Sequence, residues 1–266
     1  MFQPILPLTG FAGWTFLERT LENQQSAFDK QASVSRATDY FRDSIGDIKT
    51  ASDLVNDRQL LSVALGAFGL DDDLGNKFFI EKILSDGTTA DDALANRLAD
   101  KSYAKLSEAF GFGDPIGPLT GLDSFANDIV SRFQTKQFER AVGDQNPDLR
   151  LALGLEQGLK DITSQSTSET AQWFTMMGTP PLRKVFETAL GLPSSLARID
   201  LDQQLSTFQD KSQAVFGTRN ISDFLSGEKT QDLRRLFLIR SEAAAIQSSG
   251  AANIALTLLQ SAPRLF

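Results

Sequence analysis

The chain has no cysteine and no histidine. Without cysteine there can be no disulfide, no thiolate nucleophile and no Cys-based metal site, and the redox compartment stays open. Without histidine the chain lacks the commonest general base, the commonest zinc ligand and the side chain that titrates near neutral pH. Only carboxylate, Lys, Ser or Tyr chemistry remains, so a non-enzyme with no cofactor and no metal is the expectation. Long apolar runs are also missing. The longest, Leu60 to Leu70, is well short of the roughly 20 residues that span a bilayer, so no integral membrane segment is expected. The opening Met1-Phe-Gln-Pro-Ile-Leu-Pro-Leu8 has neither the basic region nor the small-residue cleavage site of a signal peptide. Basic residues are outnumbered, 26 Lys and Arg against 34 Asp and Glu, giving a net charge of −8. Such a field repels phosphate backbones, and no nucleic-acid partner is expected. Alternating β-branched runs are absent and Asp86-Gly87 lies between helical patterns, which leaves an all-α fold.

What is present is helical punctuation on an ordinary soluble composition, 41% apolar and 23% charged over 266 residues. A compact fold of that length buries about 70 to 75% of the surface its unfolded chain exposes. In Thr179–Leu192, Thr179 suits an N-cap and Pro180 the first turn. Leu182, Val185, Phe186, Ala189 and Leu190 mark one buried face, and Gly191-Leu192 forms a stop. Asp57–Leu70 repeats the design, with Leu60, Val63, Ala64, Ala67 and Phe68 on the stripe and Gly69-Leu70 at the end. Gly69 and Gly191 stand 122 positions apart (191 − 69), and at that offset Leu60 meets Leu182, Val63 meets Val185 and Leu74 meets Leu196. Two related helical units in one compact array are expected, and no Pro/Ser/Gly linker separates them.

Residues 1–36 read as an extended arm followed by a helix from Trp14, 37–145 as a first helical unit and 146–168 as a connecting helix. Residues 169–246 read as a second unit and 247–266 as a C-terminal helix, the stretch from about Gln231 to Ala262 being one long helix or one broken once at a hinge at Gly250. Within the first unit Thr89-Ala-Asp-Asp92 has the form of a capping box, and a loop of Gly111, Gly113, Pro115, Gly117, Pro118 and Gly121 precedes a long helix. Two stripes stand apart as candidate partner-binding seams. They are Trp14, Leu17, Leu21 and Phe28 near the N-terminus, with Gln24 on the same line, and Ala255, Leu258 and Leu259 near the C-terminus. Packing of the first stripe within its own domain is the alternative reading.

Asp71, Asp73 and Gly75 invite comparison with a calcium loop. The match fails, because Gly75 is fifth and Lys82 stands where the bidentate Glu belongs, so helix capping accounts for them. No phosphate-binding glycine motif occurs. The most basic stretches, Arg132, Lys136 and Arg140 and then Arg234, Arg235 and Arg240, would suit an acidic partner or a solvated helix face.

Three segments carry a resemblance: Leu6-Pro-Leu-Thr-Gly-Phe-Ala-Gly-Trp14, Leu98–Phe112, and Trp173–Pro193 with its Gly-Thr-Pro-Pro-Leu-Arg-Lys-Val-Phe core. Together they resemble the alphaproteobacterial family labelled domain of unknown function 1217. That resemblance implies an all-helical fold and a link to the flagellum, since its members are commonly encoded among flagellar genes. It brings no catalytic residues. The expectation is a non-enzymatic protein working by contacts with other flagellar or assembly proteins, located in the cytoplasm or at the flagellum. Paired terminal helices are the plan of axial flagellar proteins, whose C-termini Ala252–Leu259 resembles. A cytoplasmic adaptor or chaperone for flagellar export is the second reading, consistent with the acidic surface, and a carboxylate-dependent enzyme the third.

Overall fold

The computed structural model describes residues 2–98, 100–165 and 168–261, with residue 165 and residues 248–261 described by backbone alone. Helices and short 3-10 turns are the regular elements among the described residues, so the fold is all-α. The α-helices are α1 (Gly10–Asp29), α2 (Ala32–Ser44), α3 (Ala51–Asn56), α4 (Arg58–Ala67), α5 (Lys77–Asp86), α6 (Leu94–Arg97) and α7 (Ser102–Phe110). There follow α8 (Phe125–Gly143), α9 (Pro147–Gln165), α10 (Glu169–Gly178), α11 (Pro180–Leu190), α12 (Leu201–Phe216) and α13 (Gly227–Ser261). They form two compact units, Met1–Ile5 with Arg19–Asp144, and Leu6–Glu18 with Gln145–Phe266.

Unit one is built around α4, which is buried on nearly all sides through Leu60, Leu61, Val63, Ala64, Leu65, Gly66 and Ala67. A helix apolar all round belongs inside, and α4 packs on α2, α3 and α8. Gly66 lets α8 come close, since a Cβ there would lie 2.7 Å from the Phe133 ring. The extended arm is held by Gln24, whose side chain accepts from the Ile5 amide at 2.7 Å and donates to the Ile5 carbonyl at 3.2 Å. One amide side chain thus pairs a whole residue of backbone that would otherwise be unpaired. The helix after the arm begins at Gly10, four residues before the apolar period starts at Trp14.

In unit two, α11 takes the central place and packs on α9, α10, α12 and α13. Trp173, Phe186, Phe208 and Phe224 fill its core edge-to-face and tilted, with centroids 5.2–6.1 Å apart. The Trp173 indole N–H donates to the Arg219 carbonyl at 2.6 Å, which settles the one polar atom of that cluster. The helix α13 is a single element from Gly227 to Ser261, the unbroken form of the two the sequence allowed.

The two units end their central helices in the same way. Gly69 (φ 73°) and Gly191 (φ 67°) both take the left-handed conformation. Leu70 N–H donates to the Leu65 carbonyl at 2.9 Å and Gly69 N–H to Gly66 at 3.3 Å. The counterparts are Leu192 to Glu187 at 2.8 Å and Gly191 to Thr188 at 3.1 Å. This is the Schellman closure, and only glycine enters it without strain. A 3-10 turn follows in each unit, Asp71–Gly75 and Ser194–Arg198, and then a helix, α5 or α12.

Candidate functional site

The N-terminal seam is spent inside the fold. Trp14, Leu17 and Phe28 are buried and Leu21 is half-buried, with Phe28 edge-on to Phe138 at 5.7 Å. Of the two readings the stripe allowed, these residues follow the packing one, because their apolar area already has partners in the chain. Gln24, on the same line, is the arm clamp described above. Ala255, Leu258 and Leu259 fall in the span of α13, but their side chains lie outside the described residues.

Each of the six basic residues has a partner in the chain, although Arg132, Arg140 and Arg235 stay largely exposed and only Arg234 is buried. On α8, Arg132 lies over the Phe68 ring at 5.7 Å, Lys136 pairs with Glu139 at 2.7 Å, and Arg140 pairs with Asp71 at 3.1 Å and Asp72 at 3.3 Å. On α13, Arg235 lies over Phe11 at 5.7 Å and Arg240 donates to the Ala189 carbonyl at 2.7 Å, a carbonyl the Schellman closure leaves open. Arg234 is only 7% exposed; it stacks 4.3 Å above Trp14 and donates to the Ala152 carbonyl at 3.1 Å. Burial lowers its pKa, opposed by Glu18 and Glu156. Guanidinium groups suit such sites because their faces are weakly hydrated and stack well.

The acidic turn 71–75 is likewise engaged by protein donors. Gln137 donates to Asp71 at 2.6 Å, while Asp73 accepts from the Tyr103 hydroxyl at 2.5 Å and the Asn76 amide at 2.7 Å. Burial, and then the Asp73 carboxylate, push the Tyr103 pKa up to about 12.

A concave polar place does occur in unit one. It is an open hollow of about 450 Å³ formed by the second half of α1, by α2 and by Gln134, and lined by Glu22, Asp29, Lys30, Ser35, Asp39 and Arg42 among others. Asp29 closes α1, where the helix dipole disfavours a negative charge. Burial raises its pKa, and its Oδ1 is enclosed without a hydrogen-bond donor. Its neighbour Asp39 is held by the Ser35 hydroxyl at 3.1 Å and by Arg42 at 3.2 Å. The volume falls in the range of ligand sites, but those are lined mainly by hydrophobic and aromatic side chains, whereas polar and charged residues surround this one.

One capping expectation is overturned and another holds in position only. The Thr89 hydroxyl caps nothing. It donates to Asp114 at 2.8 Å, and α6 begins at Leu94 without a side-chain cap. Thr179 does stand at the N-cap position of α11 with Pro180 after it, but its hydroxyl turns back to the Thr175 carbonyl at 2.8 Å, because α10 ends immediately before it. A capping box does form at Thr50 and Asp53, which exchange bonds at 3.1 and 3.0 Å. Its Thr-x-x-Asp signature stands in the sequence, obscured by the polar residues around it.

Residues 67–230 match the family described as protein of unknown function DUF1217. The chain belongs to that family. Its fold is also similar to the crystal structure of protein AGR_C_984 from Agrobacterium tumefaciens, at 26% sequence identity and a TM-score of 0.71, covering 91% of this chain and 98% of that one. No curated protein matches it. No helix among the described residues is long and apolar enough to cross a membrane.

Proposed function

We propose that the protein acts without catalysis, through contacts with other flagellar proteins, in the assembly or structure of the flagellum. The family link suggests the organelle. The mode of action rests on one observation about the described surface. Phe78 is 90% exposed and Ile116 88% exposed, while Arg234 and Arg240, two of the cations expected to meet a partner, are engaged within the fold. Large apolar side chains held in water on ordered backbone are what a protein partner covers most profitably. The net charge of −8 favours a second reading, a cytoplasmic adaptor or chaperone for flagellar export, whose acidic surface would keep it soluble and guide a basic client.

Fractionation of motile cells tests both. Recovery in purified hooks and basal bodies at a fixed ratio to known parts is the expected result for a component. A cytosolic complex with one flagellar client is expected for the adaptor. Absence from both, with normal swimming in a deletion strain, would refute the flagellar assignment.

A further inference from the structure

The chain has one Asp-Gly pair, Asp86-Gly87, and no Asn-Gly. Aspartate followed by glycine is the pair most prone to isomerise, because glycine carries no side chain to hinder attack by its own nitrogen. That nitrogen attacks the carboxylic acid carbon of the aspartate side chain. A C–N bond forms, the C–OH bond breaks, and the hydroxyl leaves with the amide proton as water. The product is a five-membered succinimide. Water then adds at one of its two carbonyls: opening at the side-chain carbonyl restores aspartate, and opening at the main-chain carbonyl leaves isoaspartate, with the chain running through the former side chain. Nothing is oxidised or reduced, and the composition ends unchanged.

The fold holds this pair out of that reaction. Asp86 is the last residue of α5, and its carboxylate is drawn back one turn to the Lys82 ammonium at 2.6 Å. A succinimide needs a ψ outside the helical range, so the Gly87 peptide must swing away before the ring can close. It has no room to do so. Gly113 is pressed onto it, such that a Cβ on Gly113 would come within 2.3 Å of the Gly87 nitrogen and 2.4 Å of the Ser85 carbonyl oxygen. A Cβ on Gly87 would in turn lie 2.6 Å from Asp114 Oδ1 and 2.7 Å from the Gly113 carbonyl. Asp114 also fixes the two residues that follow, accepting from the amides of Thr88 at 2.8 Å and Thr89 at 3.1 Å and from both threonine hydroxyls at 2.8–3.4 Å. The loop that carries this clamp is itself tied down, with Gly117 N–H donating to the Asp114 carbonyl at 2.9 Å and Leu119 N–H to the Phe110 carbonyl at 3.0 Å. Water does reach Asp86, whose side chain is 24% exposed, so what the fold withholds is the nitrogen.

We propose that Asp86-Gly87 is a latent site of aspartate isomerisation, and that Gly113 and Asp114 form the clamp that keeps it closed. The rate then follows the fraction of time the clamp stands open, in a local opening that does not require the rest of unit one to unfold. Isoaspartate, once formed, adds a methylene to the main chain at the end of α5. Residues 87–89 then no longer register with Gly113 and Asp114, so the first event keeps the clamp from reseating. Isomerisation at this pair is a one-way record of loop opening.

The test incubates the full-length chain at neutral pH, well below its melting midpoint, beside the same chain unfolded in guanidinium chloride. Peptide mapping by mass spectrometry follows residue 86, because isoaspartate keeps the mass but changes the retention time, and the succinimide is one water lighter. Wild type is compared with Asp114→Ala, which removes the clamp's acceptor, and with Gly69→Ala, which strains the end of α4 in the same unit and leaves the clamp alone. Native wild type should isomerise at least about tenfold more slowly than the unfolded chain, and Asp114→Ala about tenfold faster than native wild type, as loss of several charge-assisted hydrogen bonds predicts. Gly69→Ala should stay within about twofold of wild type. If Asp114→Ala melts below the incubation temperature, Thr89→Val takes its place, losing only the hydroxyl bond to Asp114, and should still exceed Gly69→Ala. Native wild type isomerising as fast as the unfolded chain would overturn the proposal. So would an acceleration in Gly69→Ala as large as that in the clamp variant, since whole-unit unfolding would then be the route.

Discussion

Replacing the two left-handed glycines by alanine separates a backbone effect from a tertiary one. At Gly69 a Cβ meets nothing within 4 Å, so Gly69→Ala costs only the strain of a side chain at φ 73°, about 1 kcal/mol. At Gly191 the Cβ would also lie 2.9 Å from a guanidinium nitrogen of Arg240, which donates to the buried Ala189 carbonyl. The arginine must swing away, leaving that carbonyl unpaired at a further cost of about 1–2 kcal/mol. Gly191→Ala should therefore destabilise by about 2–3 kcal/mol. Urea unfolding followed by circular dichroism reads both values, and the thermal midpoints should fall in the same order, by about 2–4 °C per kcal/mol. In an Arg240→Ala background the carbonyl is already unpaired, and the cost of Gly191→Ala should drop to that of Gly69→Ala. Equal losses in the wild-type background, or a difference that persists without Arg240, would refute the account.

Further outcomes follow from other sites. Burial pushes the Asp114 carboxyl upward, but the Thr88 amide and the hydroxyl and amide of Thr89 outweigh it and hold the pKa below 3.8. Since the folded value is the lower one, its stabilisation is present above pH 3.8 and lost as the pH falls through the folded pKa. Asp114→Ala should cost about 2 kcal/mol at neutral pH and flatten that acid limb in a pH series of melting curves. Trp173→Phe should cost about 2–3 kcal/mol, from the unpaired Arg219 carbonyl and the space left in the aromatic cluster, read by urea midpoint. Gly178→Ala, at the end of α10 with open space around it and no positive φ, should be neutral or stabilise by up to about 1 kcal/mol in the same assay.

The helices were legible where a residue acts on its own backbone. Pro180 can sit in a first turn and Gly191 can take a left-handed conformation whatever surrounds them, so the start and stop of α11 stand in the sequence. The stripes of α4 and α11 were legible for the same reason, since a period of 3.6 needs only a core somewhere. Hydroxyls were not, because they answer to the nearest acceptor in space: Thr89 to a carboxylate twenty-five residues on, Thr179 to the helix before it. Nor were the destinations of the long cations. Nothing in Arg-Arg-Leu-Phe-Leu-Ile-Arg240 says that Arg234 stacks on Trp14 or that Arg240 closes a helix end in another part of the chain. The exposure of Ile116 was hidden too, because an isoleucine among glycines and prolines reads as loop whether it points inward or out.

The placement of the arginines also governs how future mutagenesis should be interpreted. Screens for binding sites commonly neutralise cations in clusters and score the loss of an interaction. In this molecule Arg132, Arg234 and Arg240 act as mortar, bonded to rings and carbonyls, and stripping them would loosen the walls before any visitor was turned away. A defect after such a change signals recognition only when the melting temperature stays where it was.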